Sequence, residues 1–208
     1  MNDKKFQAAV RTFERLAREL SKEHEAWSRR LKPRSQILRR AYIRALFAFV
    51  DGTLFGSKQF LLKVHQFLDA GVGTGDTALL REEGYGLDRQ GEVQVRAQYL
   101  STPENVRFTF RMLYRVFRKL PLANFGGKGW AAFREAVAIR NRITHPKRVV
   151  DFSVSPKDIK TVEDGVTWYR DSLARQSYGL LSGIRGDAWL KKSTAEHLAR
   201  VGRRPTRA

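Results

Sequence analysis

The sequence predicts an all-α protein, an up-and-down bundle of about five main helices with a glycine-rich insertion. Apolar residues recur at i, i+3, i+4 and i+7 over long segments. Proline and glycine punctuate those segments at helix-start and helix-stop positions. With 208 residues and 42% hydrophobic content, the chain is long enough and apolar enough for a real core.

The first helix is expected over residues 4–31, where Phe6, Val10, Phe13, Ala17 and Leu20 form a stripe that Trp27 and Leu31 extend before Pro33 closes it. A second helix is expected over 35–70, with Ser35 as N-cap. Its residues Ile37, Ala41, Ala45, Leu46, Phe49 and Val50 make a broad apolar face. Ile43 to Val50 is apolar nearly all round, which predicts a central helix packed on several sides. Gly52 and Gly56 allow a close helix approach or a bend there.

Residues 71–104 change character. Gly71 to Thr77 reads as a loop, Thr77–Glu83 as a short helix, and Glu92 to Tyr99 as either a strand or a helix. The loop lacks the preceding strand and the Gly-Lys-Ser/Thr ending of a nucleotide cradle. Thr102-Pro103-Glu104 opens a helix carrying Val106, Phe110, Leu113, Val116, Phe117 and Leu120 up to Pro121. Gly126 to Gly129 turns the chain into the next helix, which carries Trp130, Phe133, Val137 and Ile139. Ser155-Pro156-Lys157-Asp158 opens the last main helix, about 156–181, with Ile159, Val162, Val166, Tyr169 and Leu173 on one face. The chain divides into a helical domain over 1–184, with its insertion at about 71–102, and a basic extension over 185–208.

The net charge of +19 implies a polyanionic partner, most simply nucleic acid. Residues 1–50 hold thirteen Lys/Arg against five Asp/Glu (+8), and residues 185–208 hold seven against two (+5). The basic cluster Arg29, Arg30, Lys32, Arg34, Arg39 and Arg40 lies around Pro33, but its long flanking helices do not resemble a compact helix-turn-helix. Without cysteine there is no disulfide, zinc–thiolate site or thiol nucleophile. No His/Asp/Glu group has metal-ligand spacing. No metal or cofactor is therefore expected. Met1 to Lys5 leads into a charged helix rather than an apolar signal core, and no segment has the roughly 18–20 apolar residues of a membrane span. A cytoplasmic protein is expected.

Arg140-Asn141-Arg142-Ile143-Thr144-His145, followed by Pro146, is the stretch that carries chemistry. Asn141 and His145 are four apart and share a helical face. Pro146 disfavours helical geometry at His145, which places the helix end there. Arginine is suited to phosphate oxygens and histidine to proton transfer near neutral pH. Residues five apart in an ideal helix point roughly 140° from each other, so Arg140 reaches His145 only through its long side chain and an opened last turn. A purely structural role at the helix end is the alternative. The similar spacing from Arg18 to His24 lies among charged residues and reads as a solvated face.

This stretch resembles the R-(N/D/H)-x3-H signature of HEPN domains. Two long helices, an insertion, a helix pair and a closing helix are also similar to that family's bundle. The resemblance implies a metal-independent endoribonuclease that cleaves RNA by 2′-hydroxyl attack, leaving a 2′,3′-cyclic phosphate. By the family pattern Arg140 and His145 match the catalytic arginine and histidine, and Asn141 the polar position beside the arginine. Asp51, alone among apolar neighbours, is the candidate for a further acidic residue facing the site. Arg142, Lys147 and Arg148 are candidates for binding RNA. With one well-placed histidine per chain, acid/base catalysis by two histidines requires a homodimer. A toxin–antitoxin or phage-defence setting, with an antitoxin or other regulatory protein as partner, belongs to the same expectation. A non-catalytic module that binds RNA or protein is the alternative.

Overall fold

The computed structural model describes residues 3–30, 35–65, 72–117 and 122–185. The Pro33 junction, the end of the second predicted helix, Leu120-Pro121 and the basic extension after Arg185 lie outside these residues. The described chain is a helical bundle: α1 (Asp3–Arg30), α2 (Gln36–His65), α3 (Thr74–Arg81), α4 (Thr102–Phe117), α5 (Lys128–Thr144) and α6 (Pro156–Arg185). A two-stranded hairpin, β1 (Glu83–Leu87) and β2 (Val93–Ala97), and a short 3-10 turn (Val149–Phe152) complete it. No described helix is long and apolar enough to cross a membrane.

α2 is the central helix and packs against each of the other five. Ile43, Leu46, Phe47, Phe49 and Val50 are all buried, as expected of a run that only Arg44 interrupts. Ile37, in the first turn of α2, is instead 70% exposed. α1 runs antiparallel along α2 through the two glycines. A Cβ on Gly52 would stand 2.9 Å from Leu20 Cδ1, and one on Gly56 would stand 2.8 Å from Leu16 Cδ2. α5 and α6 come closer still. A Cβ on Gly165 would lie 2.7 Å from Phe133 Cα and 2.8 Å from the Ala132 carbonyl.

An aromatic cluster joins α4, α5 and α6. Tyr169 stacks on Phe110 and Phe133 at centroid distances of 5.6 and 5.8 Å. Trp130, Trp168 and Phe125 close round Phe133 and Phe110. Ser155 and Asp158 form the expected capping box on α6, with Ser155 N donating to Asp158 Oδ2 at 2.7 Å and Asp158 N donating to Ser155 Oγ at 3.1 Å.

The insertion departs from expectation. α3 starts at Thr74 rather than Thr77, because the Asp76 carboxylate takes the Gly73 N–H at 3.1 Å and Thr77 Oγ1 donates to the Gly73 carbonyl. Glu82 ends α3 in the left-handed region at φ 60°. The open choice for Glu92 to Tyr99 resolves as a strand, Val93–Ala97, paired antiparallel with β1 in the register Tyr85↔Val95 and Leu87↔Val93.

Gly165→Ala is expected to lose about 1–3 kcal/mol of stability, since the added methyl meets backbone that cannot rotate away. Gly52→Ala, which meets only the flexible end of Leu20, should lose less. Urea denaturation of both variants checks the ordering.

Candidate functional site

Three residues of α2 at i, i+3 and i+7 spacing meet the last turn of α5: Arg44, Phe47 and Asp51. Arg44 Nη2 donates to the Ile143 carbonyl at 3.3 Å, which places a cation on the negative end of the α5 dipole. The Phe47 ring lies beneath the Arg140 guanidinium, 5.1 Å from Cζ to centroid. Asp51 Oδ2 receives Arg140 Nη2 at 3.3 Å. The same nitrogen donates to Thr102 Oγ1, the first residue of α4, at 3.2 Å, and Nη1 donates to Asn141 Oδ1 at 3.2 Å.

Arg140 thus joins α2, α4 and α5 with a side chain only 20% exposed. Its Nε is buried and has no hydrogen-bond partner among the described residues. Loss of hydration pushes the Asp51 carboxyl above its ordinary pKa, and the Arg140 charge offsets part of that rise. The carboxylate is still 54% exposed, so the pair sits at the mouth of the site and not in the core.

His145 is the C-cap of α5, with φ −125° and ψ 61°, outside helical geometry as Pro146 predicts. Its backbone N–H donates to the Asn141 carbonyl at 2.9 Å, and Thr144 Oγ1 takes up the Arg140 carbonyl at 2.7 Å. The helix end is therefore fixed, while the imidazole is exposed and makes no hydrogen bond among the described residues. No hydrogen bond joins it to Arg140, whose guanidinium turns toward Asp51.

The three candidate RNA-binding residues are placed differently. The Arg142 guanidinium holds the following loop, donating to the carbonyls of Asp151 (3.1 Å) and Ser153 (2.6 Å) and to Asp158 Oδ2 (3.3 Å). Lys147 and Arg148 lie on the loop surface, their backbone N–H groups each donating to Asp151 Oδ2 at 2.9 Å. Those two bonds, first Lys147 and then Arg148, hold the Asp151 carboxyl below its ordinary pKa. Gln36 fastens the far end of the loop through a reciprocal pair with the Val154 backbone, at 3.0 and 2.8 Å.

Thr102, Phe47, Arg44 and Gln36 are the site residues that sequence reasoning missed. Thr102 reads only as a helix opener, and Gln36 has no local signal for a partner 118 residues away. Among the described residues, no group of three or more His, Asp or Glu is arranged to hold a metal ion. Comparison with models of known protein families, with curated proteins and with solved structures finds no match to this chain.

Because folding raises the Asp51 pKa, this group favours folding below the ordinary carboxylate range and opposes it as pH rises through the raised value. Asp51→Asn should therefore melt at the same or a higher temperature than wild type at pH 7, with the difference closing toward about pH 3. A variant that is less stable at pH 7 and equal at low pH would contradict this sign. Arg142→Ala should destabilise by about 2 kcal/mol, leaving the Asp151 and Ser153 carbonyls without this donor and removing one of the bonds to Asp158. Lys147→Ala should leave the melting temperature unchanged, and thermal melts of the pair separate the two roles.

Proposed function

We propose that this chain is a metal-independent endoribonuclease of HEPN type, acting on RNA through Arg140 and His145. The supporting observation is the pairing of a partly buried, fastened arginine with an exposed histidine at a fixed helix end five residues later. The net charge of +19 supports a phosphate-bearing substrate.

In this reading the ribose 2′-hydroxyl attacks its adjacent 3′-phosphorus and the bond to the 5′-oxygen breaks. The products are a 2′,3′-cyclic phosphate and a free 5′-hydroxyl. His145 takes the 2′ proton or protonates the leaving oxygen. The Arg140 guanidinium meets the non-bridging oxygens, where negative charge grows in the transition state. Asp51, Thr102 and Asn141 set the angle of the guanidinium, and the half-exposed Asp51 balances its charge when no phosphate is bound. Lys147 and Arg148 bind the RNA backbone beside His145. Arg142 supports the same surface from beneath, through the loop. A second copy supplies the second histidine, so the working form is a homodimer. DNA lacks the attacking hydroxyl and is not a substrate. A toxin–antitoxin or phage-defence role, with a regulatory protein as partner, fits this activity.

One observation favours a second reading, a non-catalytic RNA- or protein-binding module. Arg140 spends three hydrogen bonds on Asp51, Thr102 and Asn141, as a helix-joining arginine would.

Cleavage of labelled mixed-sequence RNA in EDTA separates the two. Wild type should cut, and His145→Ala should be slower by roughly 10²–10⁴-fold, the usual worth of a positioned acid or base. Arg140→Ala should be slower by roughly 10²–10³-fold. RNA binding without cleavage, unchanged by His145→Ala, would establish the binding module instead.

A further inference from the structure

The β1–β2 hairpin projects from the bundle with a bare apolar face. Its register sets Tyr85 opposite Val95 and Leu87 opposite Val93, so these four side chains share one side. They are 59%, 59%, 64% and 68% exposed respectively, and Tyr99, just beyond β2, is 77% exposed. The other side closes on itself. Arg96 lies across Gly86, within 3.6 Å of where a Cβ would be, and Gln98 lies across Gly84.

The base of the hairpin is pinned. Lys58, whose side chain is 1% exposed, donates to Glu82 Oε1 at 2.9 Å, and the Glu82 carbonyl accepts Gln98 N at 2.8 Å. The face is therefore presented on a fixed support. A lone two-stranded hairpin is marginal in water and needs further strands or a packed partner over its apolar side.

We propose that this face is a homodimer surface, covered by the same face of a second copy of the chain. Shape is the first argument. The larger side chains, Tyr85 and Leu87, are both on β1 and the smaller ones, Val93 and Val95, both on β2. A two-fold axis along the strand direction turns β1 of one copy over β2 of the other. Large then meets small twice, in a four-stranded sandwich with its sheets about 10 Å apart.

Charge is the second argument. Two chains of net charge +19 repel each other over most of their surface. Residues 82–99 hold four acids (Glu82, Glu83, Asp88, Glu92) against two arginines (Arg89, Arg96), a net −2. The copies thus meet where the positive field is weakest, at a place poorly suited to RNA.

Area is the third. The four exposed side chains of this face, with Tyr99 beyond them, form a patch within the ~300–600 Å² typical of the largest patch on a monomer. Two such faces together reach about 1,000 Å², the least that a specific interface needs. The hairpin leads through Tyr99 to Thr102, the Arg140 partner. The surface stands whether or not that site cuts RNA, and its test contains no RNA.

Sedimentation equilibrium of the full chain at tens of micromolar should give the mass of two chains for wild type and for Gln94→Asp, on the glycine side. Leu87→Asp combined with Val95→Asp should give one chain with unchanged helical circular dichroism. A monomeric wild type, or a double variant that stays dimeric, overturns the proposal. Should the double variant lose helical signal, a nitroxide on Arg89→Cys decides, since the chain has no other cysteine. The strand-parallel axis sets both turns at the same end, so the labels should couple within about 30 Å, the sheet spacing plus two label arms. Absence of dipolar coupling overturns the proposal.

Discussion

Tyr169 is the side chain on which the rest of the bundle depends. It belongs to α6, is fully buried, and touches three other helices. Its ring stacks on Phe110 of α4 and Phe133 of α5, and the Phe49 ring of α2 meets it edge-on at 6.3 Å. Its hydroxyl pairs with Thr53 Oγ1 at 2.9 Å and donates to the Val50 carbonyl at 3.3 Å. Burial pushes the phenol far above its ordinary pKa. The Thr53 hydrogen bond opposes that shift, and the nearby Asp51 charge adds to it. The group is thus a permanently neutral hydrogen-bonding rivet, with its polar end satisfied where an unpaired hydroxyl would be costly.

The candidate site follows from that fastening. Tyr169 fixes the register of α2 at Val50 and Thr53, and the adjacent stripe of Arg44, Phe47 and Asp51 then faces the last turn of α5. Phe47 supports the guanidinium, Asp51 orients it, and Arg44 settles the helix end from which His145 emerges. The loop beyond Pro146 is held by Arg142 from inside and by Gln36 from α2, so the exposed Lys147 and Arg148 stand on a rigid base. Core packing and site geometry are linked through one helix, and substitutions at Thr53 or Tyr169 would reach the site without touching it.

Much of the bundle was legible because its signals are local. The apolar stripes of α1, α4 and α6 repeat at the helical period, and Ser155-Pro156-Lys157-Asp158 marks a helix start in four residues. Pro146 marked the end of α5, and Asp51 stood out as an acid within an apolar run. Other features depend on contacts far apart in sequence. The hairpin strands alternate without burying a face, so periodicity had no core to report. Thr102 acquires its role only when the start of α4 lies against Arg140. Arg142 reads in the sequence as a candidate for binding RNA, and its bonds to the Asp151 and Ser153 carbonyls become visible only in the path of the loop.

In the proposed reaction, RNA is cleaved through its own 2′-hydroxyl by Arg140 and His145. The most direct measurement uses an oligoribonucleotide carrying a single 2′-deoxy residue at the cut linkage, with product ends identified by mass spectrometry. The all-ribose strand should give cyclic-phosphate and 5′-hydroxyl ends, with no cut at the deoxy linkage. Cleavage at that linkage, or 5′-phosphate ends from either strand, would contradict it.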